Sequence, residues 1–341
     1  MMGNFLAKIA PNSDLSTDLY PPSSKFEPQR DIPDLTGKIV LVTGRNTGIG
    51  YHTVKHLLLK NAKVYLAARS AEKGAAAIHQ LEKETGKKAL FLQLDLADLV
   101  SVRRAATEFL EREPRLDILF NNGGVMICPT EQLTAQNHDI RAYEDFLKGR
   151  ILLLLLSQNS GQTSLAIISL RNCYASYEAN KIPARIINTS SSGHKLASTG
   201  IDFASLKSGP ARNAWLKKFS GTNATWRLYG ESKLGNILVS NYFARTHSDV
   251  LVSCALHPGS VRAGLQKHLS GFTQRMLDLM LPAAPMGAYT QLWAGTSAPA
   301  EQITGQYLIP WARVGKASPI ASSNKLEEET MAYLKEQVKG F

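Results

Sequence analysis

A phenol and an ammonium side by side on a helix can move a proton, and Tyr229 and Lys233, in YGESK, have the spacing for it. Residues four apart on a helix are neighbours on one face. A phenol with a pKa of about 10 is a poor acid–base group at neutral pH. An ammonium about 5 Å away, at an effective dielectric near 20, favours the phenolate by roughly 3 kcal/mol, or about two pKa units. That shift brings the phenol toward the working range for proton transfer to or from an oxygen. The Ser191 hydroxyl, in the run SSSGH, could hydrogen-bond the same oxygen and orient it.

The spacing alone selects nothing. Tyr-x3-Lys occurs three times, at Tyr51/Lys55, Tyr177/Lys181 and Tyr229/Lys233. Tyr51 follows a glycine-rich turn directly, where a core or surface role is expected. Tyr177 precedes the strand that carries the serines. Only Tyr229 lies after SSS and before the run that ends in Pro258 and Gly259. Position singles it out.

The elements that would position this pair start from residues 38–50, KIVLVTGRNTGIG. Residues 39–42 form a short apolar, β-branched run of the kind found in buried parallel strands. A helical pattern begins at Ile49. Gly44, Gly48 and Gly50 punctuate the turn between them, together with Arg45 and Thr47. Such a turn aims backbone N–H groups and a helix N-terminus at one point, which suits a pyrophosphate. The spacing is G-x3-G-x-G, not G-x-G-x-x-G, and a glycine turn before a helix is by itself a weak signal. The next apolar run, KVYLAARS, strengthens it. A ribose-binding carboxylate at that strand end would favour NAD. Here Ala68 stands in its place, with Arg69 beside it and Arg45 in the turn. Two guanidiniums and no acid favour a 2′-phosphate, hence NADP(H).

From residue 35 onward strands and helices alternate, with strands expected at 38–43, 63–68, 89–94, 116–120, 185–189, 250–256 and 306–309. Alternation of this kind predicts an α/β domain, a parallel sheet of about seven strands with helices on both faces. A helix is expected from about 226 to 245. Residues 1–34, rich in Pro, Ser and Asp, read as a tail or arm, leaving 35–341 as one domain. The glycine turn, Arg69, Asp95, Asn122, Ser191, Pro258 and Gly259 all fall at carboxyl ends of strands, where open sheets bind ligands.

Composition narrows the function classes. The 341 residues are 44% hydrophobic, enough for a sizeable core, and carry a net charge of +11. The basic residues are scattered without aromatic interleaving, which argues against nucleic acid. The three cysteines are far apart and suggest neither a disulfide framework nor a metal site. The longest apolar run, 151–156, is too short for a membrane span. No signal-peptide pattern opens the chain, so a reduced, cytoplasmic location is expected.

Taken together, TGRNTGIG, the AARS after the second strand, Asp95–Leu96, NNGG, IINTSSSGH, YGESK and HPGSVR occur in the order found in one family. The chain resembles the short-chain dehydrogenase/reductase superfamily, within it the branch of retinol dehydrogenases and WW-domain oxidoreductases, including fungal enzymes of secondary metabolism. The resemblance spans about residues 35–138 and 184–315. It implies a single doubly wound Rossmann domain and NADP(H)-dependent hydride transfer between nicotinamide and a carbonyl or secondary alcohol. It implies Tyr229 as acid/base, Lys233 as the group that lowers its pKa and holds the nicotinamide ribose, and Ser191 as polariser of the substrate oxygen. Asp95 and Leu96 would face the adenine, Asn122 would line the cofactor path, and the Val261 backbone would meet the carboxamide. A homodimer is also implied. An apolar stretch after Pro258 and Gly259 points to a hydrophobic alcohol or ketone as substrate.

Three departures stand out. Gly123 replaces the family's alanine, a small-for-small change. Ala263 replaces a threonine that contacts the cofactor. Residues 139–183 lack the family's T-N-x-L-G-like motif, and neither Asn159 nor Asn172 has its surroundings. These leave open an alternative, a catalytically impaired NADP(H)-binding protein. Ser190 and Ser192 read as turn residues, and His194 and His257 as structural.

Overall fold

The computed structural model describes residues 21–44, 47–126, 128–142, 168–219, 222–261 and 283–339. Its centre is one eight-stranded sheet in the order β3-β2-β1-β4-β5-β6-β7-β8. The strands are β1 Ile39–Thr43, β2 Lys63–Ala68, β3 Leu90–Gln93, β4 Ile118–Asn121, β5 Ala184–Thr189, β6 Leu251–Leu256, β7 Tyr307–Ile309 and β8 Arg313–Gly315. β1 to β7 are parallel to their neighbours. β8 is the addition to the expected seven. It folds back antiparallel on β7, and its three residues are too few and too exposed to carry a periodic signal.

Alternate strand residues face opposite sides of a sheet, and both sides here are covered. Ile39, Leu41, Tyr65, Leu119 and Ile186 pack with α3 (Leu99–Arg112), α6 (Thr222–Thr246) and α8 (Asn324–Gln337), and Cys173 of α4 (Ile168–Asn180) joins them. Val40, Val42, Val64, Ile118 and Ile187 pack with α1 (Ile49–Leu59), α2 (Ala71–Thr85) and α7 (Tyr289–Thr296). The described part of the arm, from residue 21 on, joins this second layer. Phe26 and Ile32 are buried in it, and Phe26 meets Tyr289 edge-on with ring centroids 6.1 Å apart.

Local sequence explains where the helices start and stop. Ser70 caps α2 by accepting the Lys73 N–H at 3.2 Å, and Gly86, at φ 69°, ends it. Asp98 caps α3, which buries Leu99, Val102, Ala105, Ala106 and Phe109 at helical spacing. The α6 helix begins four residues earlier than its apolar pattern suggests, at Thr222 instead of Trp226. Its start is held from outside by α5 (Pro210–Lys218), whose Trp215 packs on Leu228.

Candidate functional site

The sheet order reverses between β1 and β4, because β2 and β3 lie to one side and β4 to β7 to the other. Crevices of open α/β sheets form at such switch points. At this one the turns after β1 and β4 touch backbone to backbone. A Cβ on Gly44, whose φ is +107°, would lie 2.4 Å from the Gly123 Cα. One on Gly123 would lie 2.9 Å from both the Gly44 Cα and Leu96 Cδ1. Glycine in place of the family alanine is therefore fitted to this contact and is more than a neutral exchange. The Asn122 side chain donates to the Thr43 carbonyl at 3.2 Å, joining the same two turns.

The α1 helix begins at the mouth of the crevice. Its N-cap, Gly48, has φ +67° and offers no side-chain cap, and the first turn holds no acidic residue. Among the described residues nothing lies within 4 Å of where a Gly48 Cβ would be. The first N–H groups of a helix lack intrahelical partners and carry its positive dipole end. An open, uncapped, acid-free start of this kind fits a pyrophosphate, so the residues present suit a dinucleotide. Thr47 is exposed beside Gly48, and Gly50 is buried under the turn.

Two further elements converge here. A Cβ on Gly287 would sit 2.8 Å from Ile49 Cγ1 and 3.0 Å from Val261 Cγ2, so the loop after β6 abuts the start of α1. In that loop Gly259, at φ +86°, lies against Pro310 and Trp311, beside half-buried Pro258. His257 Nδ1 accepts the Gly259 N–H at 3.2 Å, which makes this histidine a brace for the loop. Asp95 accepts the Ala97 N–H through Oδ1 at 3.0 Å. Arg69 is exposed at the end of β2, one strand from Gly44, whose N–H reaches the Ala67 carbonyl at 3.1 Å. Arg45, Ala263, Asn159 and the apolar stretch at 264–282 lie outside the described residues, as does the Asn172 side chain.

Ser191, Tyr229 and Lys233 are brought together across one glycine. A Cβ on Gly193 would lie 2.7 Å from Tyr229 Cε1 and 3.3 Å from Ser191 Oγ. Lys233 Nζ is 5.5 Å from the Tyr229 ring centroid. Both residues are buried, at 7% and 6% exposure, despite their polar ends. The Ser190 hydroxyl donates to the Lys233 carbonyl at 2.7 Å and so pins the serine turn to α6. Trp226, one turn before Tyr229 and partly exposed, meets its ring edge-on at 6.1 Å.

The other two Tyr-x3-Lys pairs do something else. The Tyr51 hydroxyl donates to Glu84 at 3.0 Å, and Lys55 pairs with the same carboxylate at 2.8 Å. Burial and that carboxylate push the Tyr51 phenol up to about 12, away from proton transfer at neutral pH. Lys181 lies 5.8 Å from the Tyr177 ring near the amino end of β5, the opposite end of that strand from Ser191.

Several supporting contacts are spread too widely through the chain to be read from spacing. Asn121 donates to Asn188 and Asn188 to Ser240, each at 2.8 Å, tying β4 through β5 to α6. In the segment after β4, fully buried Asp139 pairs with Arg141 at 2.7 Å and Arg212 at 2.8 Å. Arg141 also donates to the Cys128 carbonyl, and Arg212 to the Ser205 and Thr130 carbonyls. Two guanidiniums on one carboxylate thus lock the loop after β4 to the start of α5. The Glu231 carboxyl, inside YGESK, is raised to about 7 by burial, against the pull of Arg227 at 3.0 Å. Among the described residues no group of His, Cys, Asp and Glu is arranged to hold a metal, and no helix is long and apolar enough to cross a membrane.

A doubly wound sheet with an uncapped, glycine-lined helix start at its switch point defines the Rossmann-type class. Similarity to known proteins narrows this. The short chain dehydrogenase family model matches residues 38–151. A short-chain dehydrogenase/reductase of Armillaria gallica is 44% identical, over 96% of this chain and 98% of the relative. Human retinol dehydrogenase 12 is 32% identical, over 86% of this chain and 84% of its own. In fold, the chain is similar to an uncharacterised protein of Mycobacterium paratuberculosis, with a TM-score of 0.66 at 22% identity, covering 92% and 98% of the two chains. It is also similar to a short chain dehydrogenase of Shigella flexneri complexed with NADP, with a TM-score of 0.54 at 19% identity, covering 81% and 98%. The chain belongs to the short-chain dehydrogenase/reductase family and is an oxidoreductase of that family.

Proposed function

We propose that the protein is an NADP(H)-dependent oxidoreductase acting on a hydrophobic secondary alcohol or ketone. The observation that carries this reading is the approach of Ser191 Oγ and the Tyr229 ring to one another over Gly193, with the Lys233 ammonium behind the phenol. When bound, the nicotinamide supplies or accepts the hydride at the substrate carbon. In the reducing direction the Tyr229 hydroxyl gives its proton to the carbonyl oxygen as negative charge builds there. The Lys233 charge favours the phenolate left behind, and the same residue would hold the nicotinamide ribose. The Ser191 hydroxyl donates to the same oxygen and fixes its direction. In the oxidising direction each transfer reverses.

For the dinucleotide, the start of α1 with Gly44, Thr47, Gly48, Ile49 and Gly50 would take the pyrophosphate. Arg69, exposed beside Ala68, which stands where a ribose-binding acid would be expected, supports a 2′-phosphate. Asp95 and Leu96 would face the adenine, Asn122 would border the path, and Pro258, Gly259 and Val261 would line the nicotinamide end. Trp226 and the family's retinol-handling relatives support a hydrophobic substrate.

Replacement of Tyr229 by Phe tests the chemistry. Turnover falls by at least two orders of magnitude, the usual reach of a general acid, while NADPH binding is kept. Wild-type turnover in that variant would overturn the assignment. A second reading, an NADP(H)-binding protein without turnover, is favoured by the missing T-N-x-L-G-like motif in residues 139–183. One carbonyl substrate reduced by the wild-type protein would dismiss it.

A further inference from the structure

His194 is fully buried, three residues beyond Ser191 on the same turn. Its Nε2 lies 2.9 Å from the Ser318 backbone N–H. A backbone N–H only donates, so Nε2 carries no proton and the ring proton is on Nδ1. Nδ1 faces the Ser191 carbonyl oxygen at 2.7 Å, where a donor is what the carbonyl needs. A single neutral tautomer serves both ends, and an imidazolium would set Nε2–H against the Ser318 N–H. The ring also packs edge-on against Tyr307 of β7, with centroids 4.8 Å apart.

We propose that His194 is a positioning residue, whose neutral imidazole ties the Ser191 peptide to the Ser318 backbone so that the C-terminal edge of the fold aims the Ser191 hydroxyl. The inference rests on the role proposed above for Ser191. The serine backbone is extended, at φ −159° and ψ 155°. With the preceding residue held by the Ser190 N–H on the Leu256 carbonyl at 2.6 Å, holding the Ser191 carbonyl as well restricts the rotation between them, and with it the direction of the Cα–Cβ bond. The His194 N–H donates to the same carbonyl at 3.1 Å, which closes the turn. Ser318 sits between β8 and the turn Pro319–Ser322, far along the chain from every residue assigned to the site. Misplacing a reacting group by about 1 Å costs up to about a hundredfold in rate.

The test compares three variants of the full chain, Ser191→Ala, His194→Phe and Ser318→Pro. Phenylalanine keeps the packing on Tyr307 and loses both hydrogen bonds. Ser318 already has φ −60° and ψ 147°, and its hydroxyl is buried without a partner among the described residues. Proline there suits the backbone dihedrals, removes the N–H donor and sets its Cδ where the proton pointed, against the His194 ring, so the tether is broken and the ring displaced. The readouts are kcat, NADPH affinity and amide exchange of His194 and Ala197, whose N–H groups close the serine turn.

The expected result is that Ser318→Pro and His194→Phe each lower kcat roughly tenfold or more, leave NADPH affinity unchanged and speed exchange in the turn. A merely structural role would lower melting temperature without moving kcat or exchange at the turn. If Ser191→Ala abolishes turnover while both other variants keep wild-type kcat, the inference is overturned and the proposed function stands. If Ser191→Ala keeps wild-type turnover, or the wild type has none, the proposed function fails. The tether is then decided by exchange alone, and an unchanged turn in Ser318→Pro overturns it.

Discussion

One methyl group at residue 193 is the sharpest perturbation the site offers. Gly193 is outside the left-handed backbone region, so an alanine there costs no backbone strain. Its effect is steric. The added Cβ would stand 2.7 Å from Tyr229 Cε1, 3.1 Å from Cδ1 and 3.3 Å from Ser191 Oγ. Carbon atoms settle about 3.5–4.0 Å apart, so the phenol ring must retreat by about 1 Å. Overpacking of this size costs about 1–3 kcal/mol of stability, which a domain of this size survives. The catalytic loss is larger, because a shift of about 1 Å in a reacting group removes up to about a hundredfold in rate. Gly193→Ala is therefore expected to lower kcat for ketone reduction by one to two orders of magnitude while NADPH affinity, measured by calorimetry, holds. Wild-type kcat in this variant would show that the phenol and the serine do not work together over Gly193.

Two further predictions concern the frame of the site. Replacing Arg212 by Met leaves Asp139 with one guanidinium and strips the Ser205 and Thr130 carbonyls of a donor. Breaking a buried ion pair from one side costs about 3–5 kcal/mol, so the urea midpoint should fall markedly. A change below about 1 kcal/mol would mean that the cluster does not hold the two loops. Glu231, raised to about 7 by burial, binds its proton more tightly folded than unfolded. Stability from this group is thus full below its ordinary value of 4.5 and lost as pH rises toward 7. Glu231→Gln keeps one acceptor oxygen for both the Asp202 N–H and the Ser205 hydroxyl and gives up the Arg227 bond to the other oxygen. It should melt above wild type at about pH 8 and with it below about pH 4.5. A wild-type advantage at the higher pH contradicts this.

The strands nearest the crevice were legible because they are buried runs bounded by glycine and charge. β2 matches its expected limits and β1 begins one residue later than expected. β8 was not, since three half-exposed residues pair only because β7 is already in place. The choice of Tyr229 among three equal spacings came from its position between SSS and Pro258. The other two phenols lie on Glu84 and near the amino end of β5, away from Ser191. In the sequence Gly123 is one small residue in place of another. Its fit against Gly44 is a contact between two turns far apart in sequence, and no local pattern announces it. The same holds for Gly193 under Tyr229 and for Asp139 between Arg141 and Arg212. Their partners are set by the sheet order, which brings distant loops to one edge.

The proposed function requires the crevice between β1 and β4 to hold NADP(H) beside Ser191, Tyr229 and Lys233. Calorimetric titration of the purified protein with NADPH, and with NADH as the control, tests it most directly. Saturable NADPH binding with much weaker NADH binding is the predicted result, reflecting Arg69 and an uncapped α1. Binding of neither would contradict the account, and equal binding of both would contradict the 2′-phosphate reading of Arg69.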